Sequence, residues 1–209
     1  MEITYLGHAC FKITSDNFSM IIDPYKSGSV PGLAPLKETA NLTICSHKHF
    51  DHFAVDEIKP SFARIDTPFG MDFIDTYHDD KEGALRGPNR ISIITSGDIK
   101  VVHMGDIGCK ISDEDMEKII GADVLMIPVG GFFTIDAKQA YEYYKEINPG
   151  IVIPMHYRNG DIGYDEIGTV DAFTDLVDSG LIEECESKIT VDSKITGGKV
   201  MLMKPLNAR

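Results

Sequence analysis

Between residues 47 and 52 the chain reads His-Lys-His-Phe-Asp-His, three imidazoles and one carboxylate within a single turn's worth of backbone. The whole 209-residue sequence holds only seven histidines, so the cluster is a local concentration and not a compositional bias. Imidazole nitrogen and carboxylate oxygen together are the ligand set of zinc and its borderline neighbours. The hexapeptide follows Leu42-Thr43-Ile44-Cys45, a short apolar run that reads as a buried strand, and precedes Ala54-Val55-Asp56-Glu57-Ile58, which can begin a helix. A strand-to-helix loop puts functional groups at the end of a rigid element. His47 and His49 are two residues apart, share a face of an extended segment, and can grip one ion. Asp51 and His52 come after the chain turns and can face a second ion nearby. The bland alternative is a surface loop that happens to be rich in His, and the density of ligand atoms argues against it.

Other apolar runs lead to a ligand type in the same way. Residues 19–22 end at Asp23, residues 71–77 at His78, residues 99–104 lead to Asp106, and residues 151–153 lead to His156. Open sheets place ligand groups at the carboxyl ends of their strands, so five such runs can assemble one site.

Composition bounds the rest. A length of 209 suits one domain, residues 1–209, with a full core and no need of staples. Hydrophobic content of 43% and charged content of 25% are ordinary for a globular protein. No apolar run approaches the roughly 20 residues that a membrane span needs. The chain begins directly with a strand-like stretch, which leaves no room for a signal peptide. Cys10, Cys45, Cys109 and Cys185 are scattered and form no C-x-x-C pair. A cytoplasmic protein with reduced thiols is therefore expected, Cys45 being a core residue although it lies close to His47. The net charge of −13, with dispersed Lys and Arg, argues against a polyanion such as nucleic acid as partner. No membrane partner is expected, and the oligomeric state, a homo-oligomer included, stays open.

Residues 2–6, 10–14 and 19–22 read as a strand meander with a turn at Ser15-Asp16-Asn17. Residues 25–37 carry Gly28, Pro31, Gly32 and Pro35 without apolar periodicity, and are expected to form a flap over the site. Residues 63–67 and 71–77 read as strands, residues 79–89 as a polar loop, and residues 91–95 and 99–104 as a hairpin. Ser112 and Asp136 read as helix N-caps. The first helix carries Met116, Ile119 and Ile120 on one face; the second carries Ala140, Tyr141, Tyr144 and Ile147 and stops at Asn148-Pro149-Gly150. Residues 124–127 and 151–153 are expected as buried strands. A third helix is expected from Thr169 to Gly180, burying Phe173, Leu176 and Val177, with strands at 189–191 and 199–203. Strands dominate before residue 98 and alternate with helices after it. That pattern suits an α/β (α+β) architecture of two sheets packed face to face with helices outside.

The order Tyr5-Leu6-Gly7-His8-Ala9, Ile21-Ile22-Asp23-Pro24, His47 to His52, Gly105-Asp106 and Pro154-Met155-His156-Tyr157 resembles the metallo-β-lactamase superfamily of metal-dependent hydrolases. The opening and closing motifs look most like its ascorbate-6-phosphate lactonase branch. The resemblance implies a four-layer αβ/βα sandwich with two mixed sheets. It implies two divalent metal ions, with zinc favoured and manganese open. It assigns His47, His49 and His78 to one ion, Asp51, His52 and His156 to the other, and Asp106 as the bridge.

Alternatives to these roles are a solvated loop residue for His78 and a core histidine for His156. For Asp23 two readings stand open, a turn residue before Pro24 and an outer partner that accepts a hydrogen bond from a ligand imidazole. His103 is a rival of His78 for the first ion. Strand parity puts it on the face opposite Asp106 and makes it an outer or core residue, unless the strand breaks at Gly105. His8, Lys26, Lys48 and Arg158 are candidates to touch substrate, with Lys48 preferred as a solvated charge.

The implied chemistry is attack by a hydroxide bridging the two metals on a lactone or phosphoester of a small molecule, with Asp51 and Asp106 catalytic. A nuclease or phosphodiesterase of the same superfamily, a flavodiiron-type reductase and a non-enzymatic metal-binding protein are the competing readings. The reductases carry Glu where this chain has His49 and need a flavin domain.

Overall fold

A computed structural model describes residues 1–62 and 66–209. In chain order the strands of the first half are β1 (Glu2–Gly7), β2 (Cys10–Ser15), β3 (Phe18–Ile22), β4 (Thr39–Ala40), β5 (Leu42–Ile44), β6 (Lys59–Pro60) and β7 (Gly70–Tyr77). There follow β8 (Pro88–Ser96), β9 (Ile99–His103), α1 (Asp113–Ile119), β10 (Val124–Pro128), α2 (Ala137–Ile147), β11 (Ile151–Met155) and α3 (Asp171–Thr174). The tail adds β12 (Ile182–Cys185), β13 (Lys188–Thr190) and β14 (Lys199–Met203).

Two mixed sheets result. One has the order β13-β1-β2-β3-β5, antiparallel except where β5 joins β3 in parallel. The other has the order β12-β14-β11-β10-β9-β8-β7, parallel from β12 to β9 and antiparallel at β8 and β7. Alternation along the strands splits the core into layers. Ile3, Tyr5, Phe11, Ile13, Met20 and Ile22 of the first sheet meet Ile94, Val101, Val124, Met126, Ile151 and Ile153 of the second. The opposite face of the second sheet, with Ile91, Val102, Leu125 and Val152, is covered by Met116 and Ile119 of α1, Ala140 and Ile147 of α2, and Phe173 of α3. The outer face of the first sheet, with Leu6, Cys10 and Ile21, is covered by irregular chain and not by an α-helix.

That cover is the 25–37 segment, and it corrects the expectation of a flap. Tyr25, Val30, Leu33 and Leu36 are buried against the sheet. The Lys26 amide donates to the Phe50 carbonyl at 2.8 Å and the Ala34 amide to the Asn207 carbonyl at 2.8 Å, so both ends are pinned. The segment has no helical or strand period, but it has enough apolar side chains to close a core.

Both helix caps form as read. Ser112 accepts from the Asp115 amide, and Asp136 and Gln139 form a reciprocal capping box. Asn148 ends α2 in the left-handed conformation, φ 49°. Three elements depart from expectation. Ile120 is past the end of α1 and 45% exposed. On α2, Tyr143 is buried beside Ala140 and Ile147, while Tyr141 and Tyr144 pack only partly against the core. The third helix is a single turn that keeps Phe173 and Val177 buried but leaves Leu176 41% exposed. The expected strand at 63–67 falls largely on residues 63–65, outside the described residues, and Asp66 and Thr67 are not in a strand. The loop at 79–89 ends earlier than expected, since β8 already begins at Pro88.

Candidate metal centre

Five strands of the two sheets deliver side chains to one edge. Asp23 follows β3, His47 to His52 follow β5, His78 follows β7, Asp106 follows β9 and His156 follows β11. His47, His49 and His78 offer ligand atoms that lie within 4.8 Å of one another; so do His8, Asp51, His52 and His156. Asp106 lies between these groups. Its Oδ2 is 3.0 Å from His156 Nε2, 3.1 Å from His52 Nε2, 3.2 Å from His78 Nε2 and 4.0 Å from His47 Nε2.

The backbone is held in costly shapes to achieve this. His8, Asp23 and His156 have φ of 59°, 50° and 53°, a region non-glycine residues enter at a cost of about 1–3 kcal/mol each. Asp106 is reached through Gly105, φ 57°, where a Cβ would run into Asn89 Oδ1 and lie 2.6 Å from Ser46 Cβ. The Asp106 amide then donates to Asn89 Oδ1 at 2.9 Å, while Asn89 Nδ2 donates to Thr76 Oγ1 and the Met104 carbonyl.

A relay behind the cluster sets the histidine tautomers. Asp23 is fully buried and can only accept. Ser46 donates from its amide to Asp23 Oδ1 and from its hydroxyl to Oδ2, both at 2.6 Å. With its proton so used, Ser46 Oγ accepts from His47 Nδ1 at 2.9 Å. His52 Nδ1 donates to Asp23 Oδ2 at 2.8 Å. Both imidazoles therefore turn Nε2 into the site; His52 Nε2 lies 3.1 Å from Asp106 Oδ2, while His47 Nε2 and Asp106 Oδ1 have no hydrogen-bond partner. Buried polar atoms without partners are expensive, and a divalent cation among them supplies what they lack. The donor set, imidazoles with two carboxylates, fits such an ion.

The electrostatics agree. Burial opposes charge on His52, but Asp106 and Asp51 override it and raise its pKa. Burial likewise opposes charge on Asp106 and Asp51, yet the surrounding histidines hold both carboxyls well down. His47 is held at about 3 and His8 at about 4, mainly by burial and then by a neighbouring imidazole.

Over the cluster lies a cavity of about 310 Å³ lined by His49, Asp51, His78, Arg86, Asp106, Phe133, His156 and Tyr164. His8 reaches Asp51 Oδ2 with Nε2 at 3.1 Å and lies against the His156 ring, centroids 4.1 Å apart. Tyr164 lines the same cavity as Asp51, and its hydroxyl pKa is pushed well up, chiefly by burial and then by the Asp51 carboxylate.

The remaining expected residues fall as follows. His103 lies away from the cluster: Nε2 donates to the Ala9 carbonyl at 2.9 Å, Nδ1 accepts from the Gly105 amide at 3.1 Å, and the ring meets Phe11. Arg158 does not line the cavity over the cluster. It lines a separate cavity with Asn159, Glu184 and Lys204, because the chain turns at His156 and its amide bonds the Gly168 carbonyl. The Lys26 ammonium lies 5.6 Å from the ring centroid of Phe50 in the metal loop. Ser46, Asn89, Arg86 and Tyr164 were not singled out by the sequence, since each acts through a long-range contact that no local pattern announces.

Residues 2–156 match the family described as the β-lactamase superfamily domain. The chain belongs to the metallo-β-lactamase superfamily. A relative from Desulforamulus reducens named as a metal-dependent hydrolase is 26% identical over 192 residues, 75% of this chain and 84% of its own length. A solved superfamily structure from Thermotoga maritima, named for Zn-dependent hydrolysis, is 29% identical with a TM-score of 0.76 over 97% of each chain. A metallo hydrolase from Ignicoccus hospitalis, 23% identical with a TM-score of 0.56 over 78% of this chain and 86% of its own, shares the fold.

Proposed function

We propose that this superfamily member is a metal-dependent hydrolase of one catalytic domain that cleaves an ester bond, a lactone or phosphoester, in a small molecule. The observation that carries the reading is Asp106 Oδ2 within 3.0–3.2 Å of the Nε2 atoms of His52, His78 and His156, beside the unpartnered Nε2 of His47. His47, His49 and His78 would hold one ion, Asp51, His52 and His156 the other, with Asp106 shared. Two bound divalent ions, zinc or manganese, would supply a nucleophile at neutral pH and polarise the substrate oxygen.

The chain's own residues do the rest. Asp23 and Ser46 hold His47 and His52 with Nε2 inward. His8 holds Asp51 at 3.1 Å, so that its carboxylate can orient an attacking water and accept its proton. Phe133 and Tyr164 give the cavity an aromatic wall.

Metal-loaded protein should turn over at least one member of a panel of lactones, phosphodiesters, thioesters and β-lactams, and Asp51→Asn should abolish that turnover. A loaded protein inert on the whole panel would leave the non-enzymatic reading in possession.

A further inference from the structure

The cavity that Arg158 lines measures about 400 Å³ and shares no residue with the one over the metal cluster. It opens where β12 and β14 end and the chain after β11 turns toward α3. The backbone of Arg158 is fixed there. Its amide donates to the Gly168 carbonyl at 2.9 Å, and the residue forms a β-bridge with Thr169. Just beyond it, Asn159 and Ile162 exchange backbone hydrogen bonds at 2.9 and 3.0 Å. Arg158 Nε is buried and has no hydrogen-bond partner, and its guanidinium makes no ion pair among the described residues. A buried donor is costly until an acceptor reaches it, and the planar fork of a guanidinium suits a carboxylate.

The same cavity carries an unmatched anion. Lys199 takes Glu183 and Lys204 takes Glu186, each at 2.8 Å, whereas Glu184 makes no ion pair among the described residues. Glu184 stands opposite Leu202 in the β12–β14 register, and both line the cavity. Asp171 also lines it and accepts from the Thr169 hydroxyl at 2.9 Å. Arg158 and Glu184 thus face one space without meeting each other. A dianion such as phosphate would meet two carboxylates here, and a simple cation would meet Arg158 and Lys204. A zwitterion answers both charges.

We propose that this cavity is a binding site for a free α-amino acid, with the carboxylate on Arg158, the ammonium on Glu184 and an apolar side chain against Tyr157 and Leu202. The site is separate from the metal centre and does not depend on the hydrolase reading.

The test is calorimetry on metal-loaded protein with L-leucine, with 4-methylpentanoate, which lacks its amine, and with isopentylamine, which lacks its carboxylate. Glycine serves as a probe too small to be excluded by shape. L-Leucine should bind at least about tenfold more tightly than either analogue, the scale of one charge-assisted contact. Arg158→Gln and Glu184→Gln should each remove that preference. Glu184 is exposed on an edge strand, so its replacement tests the site without disturbing the core. Amino acids also chelate metal ions, and His78→Ala separates the two: it should leave the L-leucine affinity unchanged. No binding of L-leucine or glycine, equal binding of L-leucine and either analogue, or a preference that survives both cavity variants would overturn the proposal. Binding that is lost only in His78→Ala would be chelation at the metal centre and would overturn it as well.

Discussion

At the scale of single residues, His78 and His103 are the informative pair. Both are buried, but only His78 has its Nε2 against Asp106, whereas both ring nitrogens of His103 are committed to the Ala9 carbonyl and the Gly105 amide. His78→Ala should therefore lose one metal and nearly all activity. His103→Ala should keep both metals and show its cost in thermal stability, through a lost hydrogen bond and a cavity beside Phe11. The opposite pattern in elemental analysis would reverse the assignment. Asp23 acts one layer further out. Asp23→Asn replaces an acceptor-only group that serves Ser46 twice and His52 once, and outer-shell changes of this kind weaken metal affinity by about 10–100-fold. Competition with a metal indicator checks it; unchanged affinity would make Asp23 merely a turn residue.

At the scale of elements, the strands matter through where they stop. β9 ends at His103, and Gly105 then turns the chain so that Asp106 faces the histidines. Gly105→Ala should cost both stability, by about 1–3 kcal/mol, and metal affinity, because the new methyl collides with Asn89 and Ser46. Gly97→Ala is the control: its φ of 58° carries the same backbone strain, but nothing lies within 4 Å of the added carbon. Equal effects of the two on thermal melting and metal binding would show that crowding at Gly105 is unimportant. The same elements show what the sequence could reveal. Short strands bounded by turns, and helices opened by Ser112 and Asp136, were readable because their causes are local: alternation and capping. His78, Asp106 and His156 were locatable because each follows an apolar run. The 25–37 cover was not readable, since its four buried side chains follow no period. β12 was missed because Glu183 and Glu184 make an exposed edge strand look like a loop. Asn89, Ser46 and Arg86 matter only through partners far away in sequence.

At the scale of the molecule, no helix among the described residues is long and apolar enough to cross a membrane, and two mixed sheets present one shared polar edge. That edge concentrates buried histidines and carboxylates, with His47 Nε2 and Asp106 Oδ1 left without a hydrogen-bond partner. An ion that binds the folded chain and not the unfolded one adds stability of about 4 kcal/mol at a thousandfold excess over its dissociation constant. Removing metal by chelation should therefore lower the melting temperature clearly, and restoring it should reverse the shift; a protein verified metal-free that melts unchanged would mean the site is not coupled to the fold. The most direct measurement is stoichiometry. Elemental analysis of protein purified without chelator, and again after reconstitution with zinc or manganese, should approach two metals per chain, one for each side of Asp106. A value that never exceeds one under saturating metal would contradict the two-ion centre.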